Sequence, residues 1–79
     1  MQFAGLDVHK KSTQAAVLDE QGNKLIEERF ASTVPELERF IEENLKDEFK
    51  IVMEASAVWQ HLYEYLEDGG YEVRLAHPK

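Results

Sequence analysis

The sequence contains no cysteine and no long apolar run. Without cysteine the chain forms neither disulfides nor a cysteine-based zinc site. No stretch reaches the roughly 18 consecutive apolar residues of a membrane-spanning helix, and no secretory signal core is recognisable. These absences predict a cytoplasmic protein with no membrane association.

Positive charge is also scarce, because nine Lys and Arg residues stand against 16 Asp and Glu residues, for a net charge of −7. Proteins that bind nucleic acid owe much of their affinity to Lys and Arg that neutralise phosphates. The composition therefore argues against a self-sufficient nucleic-acid binder. The 79 residues have room for one small domain, 1–79. Since they stop directly after a strand-like run, we expect an N-terminal fragment of a longer protein.

The apolar residues fall into short runs that predict five strands, at 3–8, 13–18, 24–30, 49–54 and 71–76. Short polar turns join the first three strands, which predicts an antiparallel meander. The first strand has mostly apolar residues on both faces. We therefore expect it to be a central strand that is covered on both sides.

Two helices are predicted between the later strands. The first begins with Thr33 and Glu36, which form a capping-box pattern, and has Pro35 in its first turn. Its apolar stripe consists of Val34, Leu37, Phe40, Ile41 and Leu45. The second has Ser56 as its predicted N-cap and ends at Gly69–Gly70. Its core-facing residues are Val58, Trp59, Leu62, Tyr65 and Leu66.

The resulting order of elements is β-β-β-α-β-α-β. A helical crossover places each later strand parallel to its neighbour in the sheet. The simplest arrangement is an α/β fold with a five-stranded mixed sheet in the order 3-2-1-4-5 and helices packed on it. The first and fourth strands are then neighbours, about 4.8 Å apart.

Two carboxylates interrupt apolar strands: Asp7 lies late in the first strand and Glu54 ends the fourth. An ionised carboxylate in an apolar setting is costly unless something binds it, and a divalent cation is the usual partner. Mg²⁺ suits such a pair because it takes its remaining ligands from water and substrate phosphates. The sequence therefore predicts Asp7 and Glu54 as catalytic metal ligands of a phosphoryl-transfer site. The alternative for Asp7 is a residue that ends the strand and caps the following turn.

Four segments, at 5–11, 16–22, 52–56 and 70–73, resemble in order and spacing the start of the DEDD-type insertion-sequence transposases. That family includes the pilin-gene invertases, and its N-terminal domain is similar to Holliday-junction resolvases, with a ribonuclease-H-like fold. The resemblance implies Mg²⁺-dependent cleavage and rejoining of DNA strands by four carboxylates. Asp7 matches the first and Glu54 the second, whereas the third and fourth come from later sequence.

The resemblance also implies partners. These are DNA, bound through the full-length protein, and a structured guide RNA from the element itself. We expect the intact protein to be a homo-oligomer and this fragment, with only part of a two-metal site, to be inactive alone. One departure is Ala55-Ser56-Ala57, where the family usually has Thr or Ser followed by Gly. This puts the strand-to-helix turn in doubt and leaves the carboxylate in place.

Three other functions stay open. A nucleotide-binding domain of the actin and sugar-kinase type shares the three-strand start and the Gly-x-Asp opening. It would need a turn rich in Gly, Ser or Thr to cradle phosphate, whereas residues 8–11 contain none of them. A non-catalytic interaction module would keep Asp7 and Glu54 hydrogen-bonded in its core. A stand-alone resolvase is the third of these functions. Lys10 and Lys11 either contact a phosphate or are ordinary solvated lysines.

Overall fold

The computed structural model describes residues 1–46, 48–55 and 60–76, without the side chain at position 55. The elements, in chain order, are β1 (Gln2–Val8), β2 (Ser12–Leu18), β3 (Lys24–Ala31), α1 (Val34–Asn44), β4 (Phe49–Ala55), α2 (Gln60–Asp68) and β5 (Val73–Ala76). The predicted order β-β-β-α-β-α-β is confirmed.

The five strands form one mixed sheet in the order β3-β2-β1-β4-β5. β2 is antiparallel to both β1 and β3, because short turns join these strands. β4 is parallel to β1, and β5 is parallel to β4, because a helix connects each of them to the preceding strand. The predicted α/β fold with strand order 3-2-1-4-5 is therefore confirmed.

Helix α1 begins as its sequence predicts. The Thr33 hydroxyl accepts a hydrogen bond from the Glu36 backbone N–H at 3.4 Å, and Pro35 lies in the first turn. Leu37 and Phe40 are fully buried, and the Phe40 ring stacks on Phe30 of β3 with 5.1 Å between ring centroids. This contact fixes α1 against the edge of the sheet.

Helix α2 buries Leu62 and Leu66 completely. The predicted N-cap Ser56 and the predicted core residues Val58 and Trp59 lie outside the described residues. At the other end, Gly70 adopts a φ of +83° and the Tyr71 N–H donates to the Leu66 carbonyl at 3.0 Å. Because Tyr71 completes the helix end in this way, β5 begins at Val73 rather than at position 71.

Among the described residues, the helices cover one face of the sheet. Ala4, Leu6 and Val8 are buried beneath them, whereas Gly5 and Asp7 on the opposite face are exposed. The expectation that β1 is covered on both sides is thus wrong for the described part of the chain. The reason is topological. Both crossovers move in the same direction across the sheet, and right-handed crossovers of that kind place their helices on one side.

None of the helices in the described ranges has the length and apolar character needed to cross a membrane.

A hydrogen bond joins the two helices, because the Tyr65 hydroxyl donates to Glu38 Oε2 at 2.6 Å. This bond, with a smaller effect of burial, raises the pKa of Tyr65 from 10.0 to about 12. A raised folded-state pKa means that the bond stabilises the fold fully below pH 10. That contribution is lost as the pH rises from about 10 to about 12.

We therefore predict that one of the three tyrosines ionises later than the others when tyrosinate absorbance is followed against pH. The Tyr65→Phe variant should lose this late component, and the matched Tyr71→Phe variant should retain it. Circular dichroism recorded at each pH confirms that the chain is still folded. Ionisation of all three tyrosines near pH 10 in the folded protein would contradict the assignment.

Candidate functional site

Asp7 and Glu54 lie directly opposite each other on the two central parallel strands. Their Cα atoms are partners in the β1–β4 register. Leu6 and Val8 are buried on either side of Asp7, and Met53 is buried before Glu54. Because side chains alternate along a strand, both carboxylates must project from the open face. The structure thus brings together the two residues that the sequence singled out.

Both carboxylates are exposed, and the Asp7 side chain is 52% accessible. An interaction module with these residues hydrogen-bonded in its core would require the opposite. The alternative in which Asp7 caps the turn after β1 stays a prediction; in that turn the His9 N–H donates to the Ser12 carbonyl at 3.0 Å.

A shallow depression of about 250 Å³ lies beside the carboxylates on the open face. Its lining consists of Gly5, Leu6, Asp7, Gln14, Ala15, Ala16, Val52, Glu54 and Ala76. A Cβ atom placed on Gly5 would meet no atom within 4 Å. Glycine at this position therefore leaves open space next to Asp7, as expected for a surface that a ligand approaches closely.

His9 accompanies Asp7, with its Nε2 atom 3.1 Å from Asp7 Oδ2. The sequence alone assigned His9 no role. The i, i+2 spacing of Asp7 and His9 could have predicted this contact, since residues two apart in an extended strand share a face. An imidazole that donates Nε2–H at this distance restrains the carboxylate's orientation.

A row of side chains crosses the open face at the level of the carboxylates. Its members, in sheet order, are Arg29, Gln14, Asp7, Glu54 and Ala76. Arg29 Nε donates to Gln14 Oε1 at 3.3 Å, which leaves the Gln14 amide N–H₂ as a donor on the side of the site. Neither residue could be found from the sequence, because their positions depend on the antiparallel register.

Ser32 fastens the turn that follows β1. Its hydroxyl donates to the His9 carbonyl at 2.7 Å and lies 2.8 Å from the buried Thr13 hydroxyl. Its backbone N–H donates to the Lys11 carbonyl at 3.1 Å, and its own carbonyl is 3.1 Å from His61 Nε2. His61 therefore has a structural contact with the backbone of Ser32. His77 lies outside the described residues.

The donor set at this position suits a hard divalent cation in part. Carboxylate oxygens are the ligands that Mg²⁺ prefers, and Asp7 and Glu54 supply two. Within the described ranges, no group of three or more His, Cys, Asp or Glu side chains has the arrangement of a metal site. The described residues can therefore supply only part of a metal-binding shell.

The fold and this carboxylate pair define a class of protein, a mixed α/β domain with acidic side chains on the open face of its central parallel strands. The sequence matches the DEDD transposases of the IS110 type over residues 4–79. The chain belongs to this transposase family, and the family resemblance of the four segments is confirmed. No curated protein sequence matches the chain.

Solved structures of similar fold have other functions in their titles. The Lmo2764 protein from Listeria monocytogenes, which has a provisional assignment as an N-acetylmannosamine kinase, aligns with a TM-score of 0.66 at 16% identity. That alignment covers 98% of this chain and 35% of that chain. A Ppx/GppA phosphatase from Aquifex aeolicus aligns with a TM-score of 0.52 at 15% identity, over 100% of this chain and 36% of that chain.

An exopolyphosphatase from Cytophaga hutchinsonii gives a TM-score of 0.51 at 10% identity, over 98% of this chain and 34% of that chain. At these identities the likeness shows a shared fold and nothing about function. The chain spans about a third of the length of each of these proteins.

The contacts of Ser32 generate a stability prediction. Ser32→Ala should lower the free energy of unfolding by about 1–3 kcal/mol, because the Thr13 hydroxyl and the His9 carbonyl both lose a partner. The matched control is Ser12→Ala, since the Ser12 hydroxyl makes no hydrogen bond with the described residues, and it should change stability by about 0.5 kcal/mol or less. Urea unfolding measures both, and equal losses in the two variants would contradict the role of Ser32.

Proposed function

We propose that the intact protein cleaves and rejoins DNA strands by Mg²⁺-dependent phosphoryl transfer, with Asp7 and Glu54 as ligands of the catalytic metal. The observation that carries this proposal is the β1–β4 register, which sets the two carboxylates opposite each other on an exposed face. Membership of a transposase family supports DNA as the substrate.

Each residue of the site then has a definable task. Bound Mg²⁺ would activate the attacking oxygen and stabilise the leaving oxygen of the phosphodiester. Asp7 and Glu54 would hold the metal, and His9 would restrain the Asp7 carboxylate through the 3.1 Å contact. Gly5 keeps the adjacent floor of the depression low, so that a phosphodiester can approach.

The proposal assigns the remaining steps to the longer protein. Two carboxylates are fewer than the four that the family resemblance implies, so the 79-residue chain alone should not cleave DNA. A structured guide RNA and a homo-oligomeric assembly are likewise proposed for the intact protein. The guide RNA and the homo-oligomer are proposed from the family resemblance alone, and no contact described above supports either.

A nucleotide-binding function is the second candidate, because kinase and phosphatase structures share this fold. The turn after β1 argues against it. A phosphate cradle needs free backbone N–H groups, whereas the His9 N–H donates to the Ser12 carbonyl at 3.0 Å. There is also no glycine between Gly5 and Gly22. Backbone amide shifts at residues 9–12 on addition of ATP would favour this candidate over the transposase site.

The metal prediction is tested by titrating Mn²⁺ into the ¹⁵N-labelled chain and following paramagnetic broadening of amide signals. We expect broadening centred on Asp7 and Glu54, and its loss in Asp7→Asn and Glu54→Gln, which retain the shape of the side chain and remove the charge. Glu27→Gln is the matched control, because Glu27 is an exposed carboxylate on β3. It should leave the broadening unchanged.

The same spectra report whether each variant is folded. Broadening confined to residues 36–46, with the signals of Asp7 and Glu54 unaffected, would contradict the metal site. It would favour a non-catalytic interaction module built on the same fold.

A further inference from the structure

Charge is unevenly distributed over the molecule. Helix α1 has four Glu residues and α2 has three acidic residues, and Arg39 is the single Lys or Arg of both helices. The helix-covered side of the molecule is therefore strongly acidic. The strands carry Lys24, Arg29, Lys50 and Arg74. These cations differ in whether a carboxylate lies within ion-pair distance.

Three Lys and Arg side chains of the described residues pair with a carboxylate, two of them on the sheet and one on helix α1. Lys24 is 3.3 Å from Glu27, and Lys50 is 3.3 Å from Glu72. Arg39 contacts three glutamates on the helix side, which raises its pKa above the ordinary range. In these three pairs the positive charge is already balanced by a carboxylate.

Lys10, Lys11 and Lys46, outside the strands, have no carboxylate pair among the described residues; within the strands this holds for Arg29 and Arg74. Both arginines are exposed. Arg29 donates to the neutral Gln14 at 3.3 Å. Arg74 is the register partner of Val52, which places it on the open face beside Glu54. The two arginines thus flank the carboxylate pair, one on each edge strand of the sheet.

The open face between them also carries apolar side chains. A second depression of about 290 Å³ adjoins the first and shares Val52 with it. Phe3, Lys50, Ile51, Glu72 and Arg74 also line it, and Lys50 pairs with Glu72. Phe3 is only partly buried and lies on the same face of β1 as Asp7. A partly exposed aromatic ring beside cationic side chains is the arrangement on which unpaired bases stack.

We propose that the open sheet face binds a single nucleic-acid strand, with Arg29 and Arg74 contacting phosphates on either side of the carboxylate pair and Phe3 stacking on a base. The charge of the two exposed arginines complements the phosphates of such a strand. The inference rests on the proposed function, because the carboxylates then act on the strand that the arginines hold.

The sheet fixes the length of strand that is bound. Four strand spacings separate β3 from β5, which is about 19 Å. If the bound strand keeps the spacing of one strand in a duplex, about 3.4 Å per nucleotide, this corresponds to roughly six nucleotides. A hexanucleotide should therefore occupy the whole face, whereas a dinucleotide should reach only one arginine.

The test measures binding of a fluorescent thymidine hexanucleotide to the 79-residue chain by anisotropy, with Mg²⁺ present and salt varied. Arg29→Ala and Arg74→Ala should each weaken binding about three- to tenfold and lower the salt slope by about 0.7. Phe3→Leu, which retains an apolar side chain, should weaken binding about fivefold at an unchanged slope. The matched control is Lys46→Ala, because Lys46 is exposed and lies near Gln2, at the far end of β1 from the carboxylates. It should bind as the unaltered chain does.

The outcomes separate this inference from the proposed function. If the arginine variants bind as Lys46→Ala does while Mn²⁺ still broadens Asp7 and Glu54, the strand path is wrong and the metal site stands. If the arginine effects appear but Mn²⁺ does not locate at the carboxylates, the strand path stands and the nuclease proposal fails.

Two further results would overturn the strand path. One is equal affinity for a six-base-pair duplex and for the single strand, because stacking on Phe3 requires an unpaired base. The other is the absence of hexanucleotide binding together with concentration-dependent shifts at Phe3 and Val52. This result would identify the open face as an interface between two copies of the chain.

Discussion

The parallel pairing of β1 with β4 is the constraint on which the candidate site depends, because it sets Asp7 opposite Glu54. A slip of one residue in this pairing would turn one carboxylate towards the helices and away from the other. The helix-covered face prevents such a slip. Leu6 and Met53 are register partners there, and both are buried under the helices. The packing of the core on one side therefore determines the chemistry available on the other.

Because the helices pack on one face of the sheet, the residues that stabilise the fold lie on that face and the candidate site lies on the other. Because both crossovers lie on one face, the buried residues of the core and the acidic outer surfaces of the helices are on the same side of the sheet. The opposite face keeps small residues such as Gly5 and exposes Val52, and it carries the two arginines without carboxylate partners. The open face of a chain with net charge −7 thus carries cations beside the carboxylate pair, since net charge says nothing about where the charges lie.

The hydrogen bonds of Ser32 connect this surface to the rest of the fold. They hold the turn that contains His9, and His9 in turn contacts Asp7. Through its carbonyl, Ser32 also meets His61 of α2, the helix that follows β4 in the chain. The segments that follow both carboxylate-bearing strands are therefore tied to one residue at the junction of β3 and α1. A polar group buried at such a junction is stable only because every one of its hydrogen-bonding groups has a partner.

The sequence by itself determined the elements, the sheet order and the two carboxylates. Apolar periodicity located the five strands, and the capping pattern at Thr33 located the start of α1. Asp7 and Glu54 could be identified because each interrupts an apolar strand. Tertiary structure alone decided that Gln14 and Arg29 join their row and that the second face of β1 stays open in the described residues. The physical reason is that periodicity records which residues share a face of one strand. The partners across strands, and the face that the helices cover, are set by long-range hydrogen bonds and packing.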